Sequence, residues 1–455
     1  MCEKENRIIC KKTKQNNNRR KTKKHKKEEM KKMQNRNKGI TLIALIITII
    51  ILLILVGVSI NLAIKGDLFG SAEKAVSGTN DKTAQEQTRV DELMGELDKV
   101  EKQQKEQEEA EKQKNLPGTR VSENTKYIRD GKTAWIPKGF TVSGIKSEQS
   151  IDNGLVIYDI PEGTTVDWTN PNSVKTAYNQ FVWIPVEVKS TDTENSIASF
   201  YRSEWTANAE TGGERTTGLS TSFTEPNATN DTDDKTGIAK QIANLTKSIY
   251  KYGGFYIGRY EAGSKTPRTS SSGVTEIGIK QDMYPYIYVK WGDSMSSIGT
   301  TGAVYLSNSL YNTNEYGATS MLCTGACWDS MLDFVKDSSH SVTDSTRWGN
   351  YNDSETYTIN RGKYAVYSSG ILGNFQDVDN EYSKEKDTSI LLTTGATERN
   401  CSKNIYDVAG NCFEWTTESR SSSRRVCRGR LLQRLWFSHS SKRSLRLLLS
   451  GAQRR

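Results

Sequence analysis

The longest feature of the chain is a single apolar run. Residues 39–64 (GITLIALIITIIILLILVGVSINLAI) contain no charged side chain. At about 1.5 Å per residue this run reaches about 39 Å as a helix, more than the ~30 Å hydrocarbon layer of a bilayer. A soluble domain could hardly cover so long a stretch, so residues 40–64 are expected to form a transmembrane helix. Residues 71–115 then turn to Glu, Lys, Gln and Ala, which favour helix. Val90, Leu93, Leu97 and Val100 give one apolar stripe with spacings of 3, 4 and 3, too short to claim as a coiled-coil seam. A charged helical stalk and linker over 65–118 is the expectation, ended by Leu116-Pro117-Gly118. From about residue 119 short apolar and aromatic runs alternate with Gly, Ser, Thr, Asn and Asp. Ala134-Trp135-Ile136-Pro137, Gly154 to Tyr158, Phe181 to Val186 and Phe255-Tyr256-Ile257 predict strands. The polar stretches 188–236 and 264–278 predict loops, and Trp328 to Val335 predicts a helix start. The fold class expected is therefore α+β: a membrane helix, a stalk, then an irregular, loop-rich domain with no internal repeat.

Charge changes the picture by its position. The total is +9, but residues 1–39 carry +12 and residues 424–455 carry +10, which leaves −13 on residues 40–423. An acidic body argues against nucleic acid as partner. The basic flank before the apolar run places residues 1–38 in the cytoplasm and the rest outside. The expected location is thus a single-pass cell-membrane protein with an extracellular C-terminal domain. Of seven cysteines, Cys2 and Cys10 lie in the leader and five, an odd number, lie in the distal domain. The spacing from Cys323 to Cys327 would suit one helix face, either as a disulfide or as small buried residues.

The junction Lys38-Gly39-Ile40-Thr41-Leu42-Ile43 resembles the type IV prepilin cleavage and methylation signal. That resemblance implies cleavage between Gly39 and Ile40, methylation of Ile40, and prepilin peptidase and the membrane as partners. Ala44 stands where the family has Glu, a residue implicated there in pilus assembly.

Further along, Phe181-Val182-Trp183-Ile184-Pro185, Gly254 to Glu261, Cys327 to Phe334, Trp348-Gly349, Asn404 to Trp415 and Arg425 to Gly429 occur in order. Together they resemble the sulfatase-modifying-factor domain, the fold of the formylglycine-generating enzyme and a relative of C-type lectins, over residues 178–429. A β-rich lead-in, residues 119–177, lies outside the resemblance. Two carboxylates flanking a Gly-Asn turn, Asp407 and Glu414, have the chemistry of a hard-cation site; equally, Asp407 and Asn411 could cap turns and Glu414 be a surface charge. The resemblance implies calcium at the side chains of Asp407 and Glu414 and the carbonyls of Gly410 and Cys412. Trp415 reads as core. The enzyme's catalytic cysteines lie past this point in the family, whereas the last here is Cys427. His25, His340 and His439 form no ligand spacing, so no catalytic residue is expected.

After Gly429 the texture breaks. Residues 430–455 contain no Asp, Glu, Tyr or Asn. If Arg430-Leu431-Leu432 were encoded CGG-CTA-CTA, the neighbouring frame would read Gly-Tyr-Tyr and restore the family's Arg-Gly-Gly segment. The tail is therefore expected to be an aberrant, frame-shifted end, disordered or loosely packed. In that case Leu431, Leu432, Leu435, Trp436, Leu447, Leu448 and Leu449 have no place in the fold; the alternative is a genuine basic tail for anionic surfaces. Some domains of this family are variable proteins of diversity-generating retroelements, whose ligand face is the lost segment. The function expected is a membrane-anchored extracellular ligand-binding or adhesion protein with a protein or glycan ligand. A degenerate sulfatase-modifying enzyme and a minor pilin are the alternatives.

Overall fold

The computed structural model describes residues 72–216, 237–293, 298–311, 315–369, 371–421, 424–429 and 443–451. The leader, the Gly39–Ile40 junction and the apolar run lie outside them, as do Leu431, Leu432, Leu435 and Trp436. No helix of the described residues is long and apolar enough to cross a membrane.

The chain divides into two units, residues 1–103 and 104–455. The first contributes most of helix α1 (Ala72–Asn115). Its stripe faces water: Val90, Leu93 and Val100 are 44–57% exposed.

The second unit is mixed α and β. Its helices are α2 (Pro171–Ala177), α3 (Ile238–Tyr252), α4 (Ala303–Ser309) and α5 (Gly325–Val335). The strands that matter below are, in chain order, β1 (Thr125–Arg129), β2 (Lys132–Ile136), β3 (Thr141–Val142), β4 (Val156–Tyr158), β5 (Gln180–Pro185), β6 (Gly254–Gly258) and β7 (Ala318–Leu322). They continue with β8 (Phe413–Ser421), β9 (Arg424–Arg428), β10 (Arg443–Leu445) and β11 (Leu447–Gly451). Each of the four runs expected to be strands contains one, and the expected helix start falls inside α5. Thr324 caps α5 by accepting a hydrogen bond from the Cys327 backbone N–H at 3.1 Å. Cys323 consequently precedes the helix instead of sharing its face with Cys327, and both are buried and outside any disulfide.

The central sheet is antiparallel, in the order β7-β11-β6-β5-β4-β3. Both faces are covered. Phe181, Trp183, Tyr256, Leu447 and Leu449 point into one core with Trp291, Ala303, Val304 and Trp415. Val182, Ile184, Ile257 and Leu448 point into the other, against Leu245 and Ile249 of α3 and Trp328 and Met331 of α5. A strand buried on both faces needs an unbroken apolar run where a half-buried one needs alternation. That explains the Phe-Val-Trp-Ile and Leu-Leu-Leu runs alike.

This arrangement corrects the expectation for the end of the chain. Residues 447–451 are neither disordered nor loosely packed. They form an interior strand, with Met321 opposite Leu448 on one side and Ile257 opposite it on the other. Leu445, Leu447, Leu448 and Leu449 are at most 1% exposed. Without β11, β6 and β7 would each lose a partner and both cores would be opened to water.

A chain ending at residue 442 should therefore show no cooperative thermal transition for this domain. Leu448→Ala should cost about 2–5 kcal/mol, the usual range for truncating a buried leucine. Differential scanning calorimetry decides. An unchanged melt for the truncated chain would restore the tail to a dispensable appendage.

Candidate functional site

The segment from Asn404 to Trp415 makes a compact turn that enters β8. Asn404, Asp407, Gly410 and Asn411 all have positive φ, between 59° and 85°. Asn and Asp tolerate this region because their side chains can bond the local backbone. Gly410 is required by space as well: a Cβ would come within 2.2 Å of the Asn350 carbonyl oxygen. The two backbones are stitched there. Asn350 N–H donates to Ala409 O at 3.0 Å, and Asn411 N–H donates to Asn350 O at 3.1 Å.

Asn411 is a clamp. Its Oδ1 accepts from Leu392 N–H at 2.9 Å and from Asn350 Nδ2 at 3.0 Å. Its Nδ2 donates to Leu392 O and to the carboxyl of Glu261. Asp407 Oδ2 accepts from Gly395 N–H at 2.8 Å, while its Oδ1 is buried without a partner. Cys412 and Trp415 are buried, and Trp415 Nε1 donates to Val289 O at 2.9 Å.

Glu414 is a core residue, 1% exposed. Arg446, wholly buried, meets it side-on. Nε donates to both carboxylate oxygens at 3.0 and 3.2 Å, and Nη2 donates to Oε1 at 2.9 Å. The rest of the guanidinium donates to Gly258 O at 2.9 Å and Tyr406 O at 2.8 Å. One side chain thus ties β6, the Asn404–Trp415 turn and β8 to the link between β10 and β11.

The structure brings Asp407, Gly410, Cys412 and Glu414 into one segment, but as they stand they do not fit calcium. Both oxygens of Glu414 are already compensated by a cation of the protein, and Arg446 would have to be displaced by the ion it repels. Sequence reading missed Arg446 because it lay in a stretch set aside as aberrant. The signal was there: a lone charge inside Leu445-Arg-Leu-Leu-Leu449. Glu261 ends the run Gly254 to Glu261, and no local pattern there marks it as the third buried carboxyl.

Burial dominates the titration of this cluster. It raises Glu414 despite the opposing pull of Arg446. It raises Glu261 well above the usual carboxylate range, aided by Asp407 and Glu414. It raises Asp407 to about 6, against the Gly395 hydrogen bond and Arg446. Two further networks are also buried. Arg259 pairs with Glu148 at 2.7 Å. Arg202 contacts Asp329 and Glu418, and Arg428 holds Glu418 with bonds of 2.7 and 2.8 Å.

No protein-family model, curated protein or solved structure matches the chain.

The raised Asp407 makes a signed prediction. Its carboxyl binds a proton at about pH 6 when folded and near pH 3.8 when unfolded. In that window the folded state holds more protons, so stability rises as pH falls from 7.5 to 5.5. Glu148, Glu398 and Glu418 are lowered, from 4.5. They stay mostly ionised in both states over this range and do not oppose the trend. Glu261 and Glu414 are raised as well and act in the same direction, so the domain should melt higher at pH 5.5 than at 7.5, and Asp407→Asn should remove part of the difference. A pH dependence unaltered by Asp407→Asn would contradict this account of the cluster.

Proposed function

We propose that the chain is a membrane-anchored extracellular ligand-binding or adhesion protein. Its sulfatase-modifying-factor-like, C-type-lectin-like domain is carried on a type IV pilin-like anchor. The supporting observation is where the two strands that precede and follow residues 430–442 stand in the sheet. Strand β9 runs antiparallel to β8 on one side, and β10 runs parallel to it on the other. Glu414 is the register partner of Arg428 in β9 and of Ser444 in β10. Strands β9 and β10 therefore flank one buried strand on opposite sides. Both flanks are fixed by arginine–carboxylate bonds, Arg428 to Glu418 and Arg446 to Glu414. A connection whose ends are held by a rigid scaffold is the usual place for recognition residues.

The thiols favour binding over thiol-based catalysis. Burial pushes Cys401 up to about 11 and Cys412 well above its ordinary value. At neutral pH these groups are protonated, and the thiolate is the reactive form.

The test is the full chain expressed in a bacterium with an active prepilin peptidase. The mature protein should begin at Ile40, and protease added to intact cells should remove the domain. Solubilised chain should bind selectively on a protein and glycan array. A variant with residues 430–442 replaced by Gly and Ser should lose that binding at least tenfold without a change in melting. Unprocessed Met1 and a protease-shielded domain would refute the anchored reading; binding unaffected by the replacement would refute the role of residues 430–442.

A further inference from the structure

The lead-in region outside the family resemblance builds a cleft of its own, about 560 Å³ in volume. That is within the usual range for a small-ligand site. One wall is the chain just after α1, laid against the start of β3. Gly118 N–H donates to Val142 O at 2.8 Å, Val121 N–H to Phe140 O at 2.9 Å, and Gly139 N–H to Val121 O at 2.9 Å. The other wall is the loop from Ile160 to Trp168. Arg120 joins them, its Nε donating to Ile160 O at 3.1 Å.

The lining is chemically mixed. Trp168 is half-buried, seated on glycine at two points: a Cβ at Gly144 would enter the indole at 2.4 Å, and one at Gly118 would come to 3.0 Å from its Nε1. Tyr158 packs against the same ring at a centroid distance of 5.4 Å. Thr141, 1% exposed, borders the cleft with a hydroxyl that no protein group satisfies. Thr164 and Thr165 add exposed hydroxyl groups, Lys138 an exposed ammonium and Glu162 an exposed carboxylate. Arg120 is held in place by Ile160 O and by the Tyr316 ring at 5.9 Å. Its Nη2 meets Glu315 at 3.2 Å, a pair in which the Arg120 side chain is 17% exposed and that of Glu315 59%. Glu315 is the exposed member of the pair, so another carboxylate can exchange with it while Arg120 stays held by Ile160 O.

We propose that this cleft binds an acidic saccharide. Its carboxylate would take Arg120 from Glu315 with Lys138 nearby, its hydroxyls would meet the threonines, and a C–H face would lie on Trp168. A bare anion would leave Trp168 and the threonine hydroxyls unused, and a neutral sugar would leave Arg120 to Glu315. The site shares no residue with 430–442, so its failure leaves the reading of those residues untouched.

The test is saturation-transfer NMR and calorimetric titration of the detergent-solubilised full chain with D-glucuronate, D-glucose and acetate. Glucuronate should bind at least tenfold more tightly than either of the others. Arg120→Met should reduce its affinity at least tenfold. Lys138→Gln, a change at an exposed side chain, should reduce it several-fold and leave the melt unaltered. Equal binding of acetate, equal binding of glucose, no binding of glucuronate, or unchanged affinity in Lys138→Gln and a folded Arg120→Met would each overturn the proposal.

Discussion

Arg446 meeting Glu414 in the interior is the interaction on which the domain's closure depends. Removing one member of a buried pair leaves an unpaired charge and typically costs about 3–5 kcal/mol, comparable with a small domain's whole stability. Here the cost would be compounded, because the same guanidinium also satisfies Gly258 O and Tyr406 O. The pair fixes where β11 enters. Leu447 and Leu449 then face one core and Leu448 the other. Glu261 and Asp407 lie in the same buried cluster, and their raised proton affinities follow first from burial and then from the neighbouring carboxyl groups, against the pull of Arg446.

Much of the fold was legible along the chain because buried strands announce themselves. Phe181 to Val186, Phe255 to Ile257 and Ala134 to Pro137 read as strands, and strands run over Gln180–Pro185, Gly254–Gly258 and Lys132–Ile136. The Asn404–Trp415 turn was legible too, since Asn, Asp and Gly at these spacings mark backbone with positive φ. Helix α3 was missed. Ile238, Leu245 and Ile249 are its buried contacts, and no side-chain cap marks its start at Gly237. The stretch before it was dominated by polar loop residues.

The tail was misread for a more instructive reason. Composition was compared with the preceding loops, whereas the relevant comparison is with a strand buried on both faces. Judged that way, Leu445-Arg-Leu-Leu-Leu449 is what an interior position demands: consecutive apolar residues with one charge whose partner lies elsewhere in the chain. No local pattern could reveal that the partner is Glu414, since the two meet only through long-range strand pairing. For the same reason Glu414 read as a calcium ligand or a surface charge: the sequence showed its type and spacing but not its burial.

Hydrogen–deuterium exchange of the full chain followed by mass spectrometry reads the burial of β11 most directly. The account predicts that peptides covering residues 447–451 exchange as slowly as those covering Gly254–Gly258, because their amides open only when the whole sheet does. Exchange of 447–451 within seconds, with Gly254–Gly258 still protected, would contradict it.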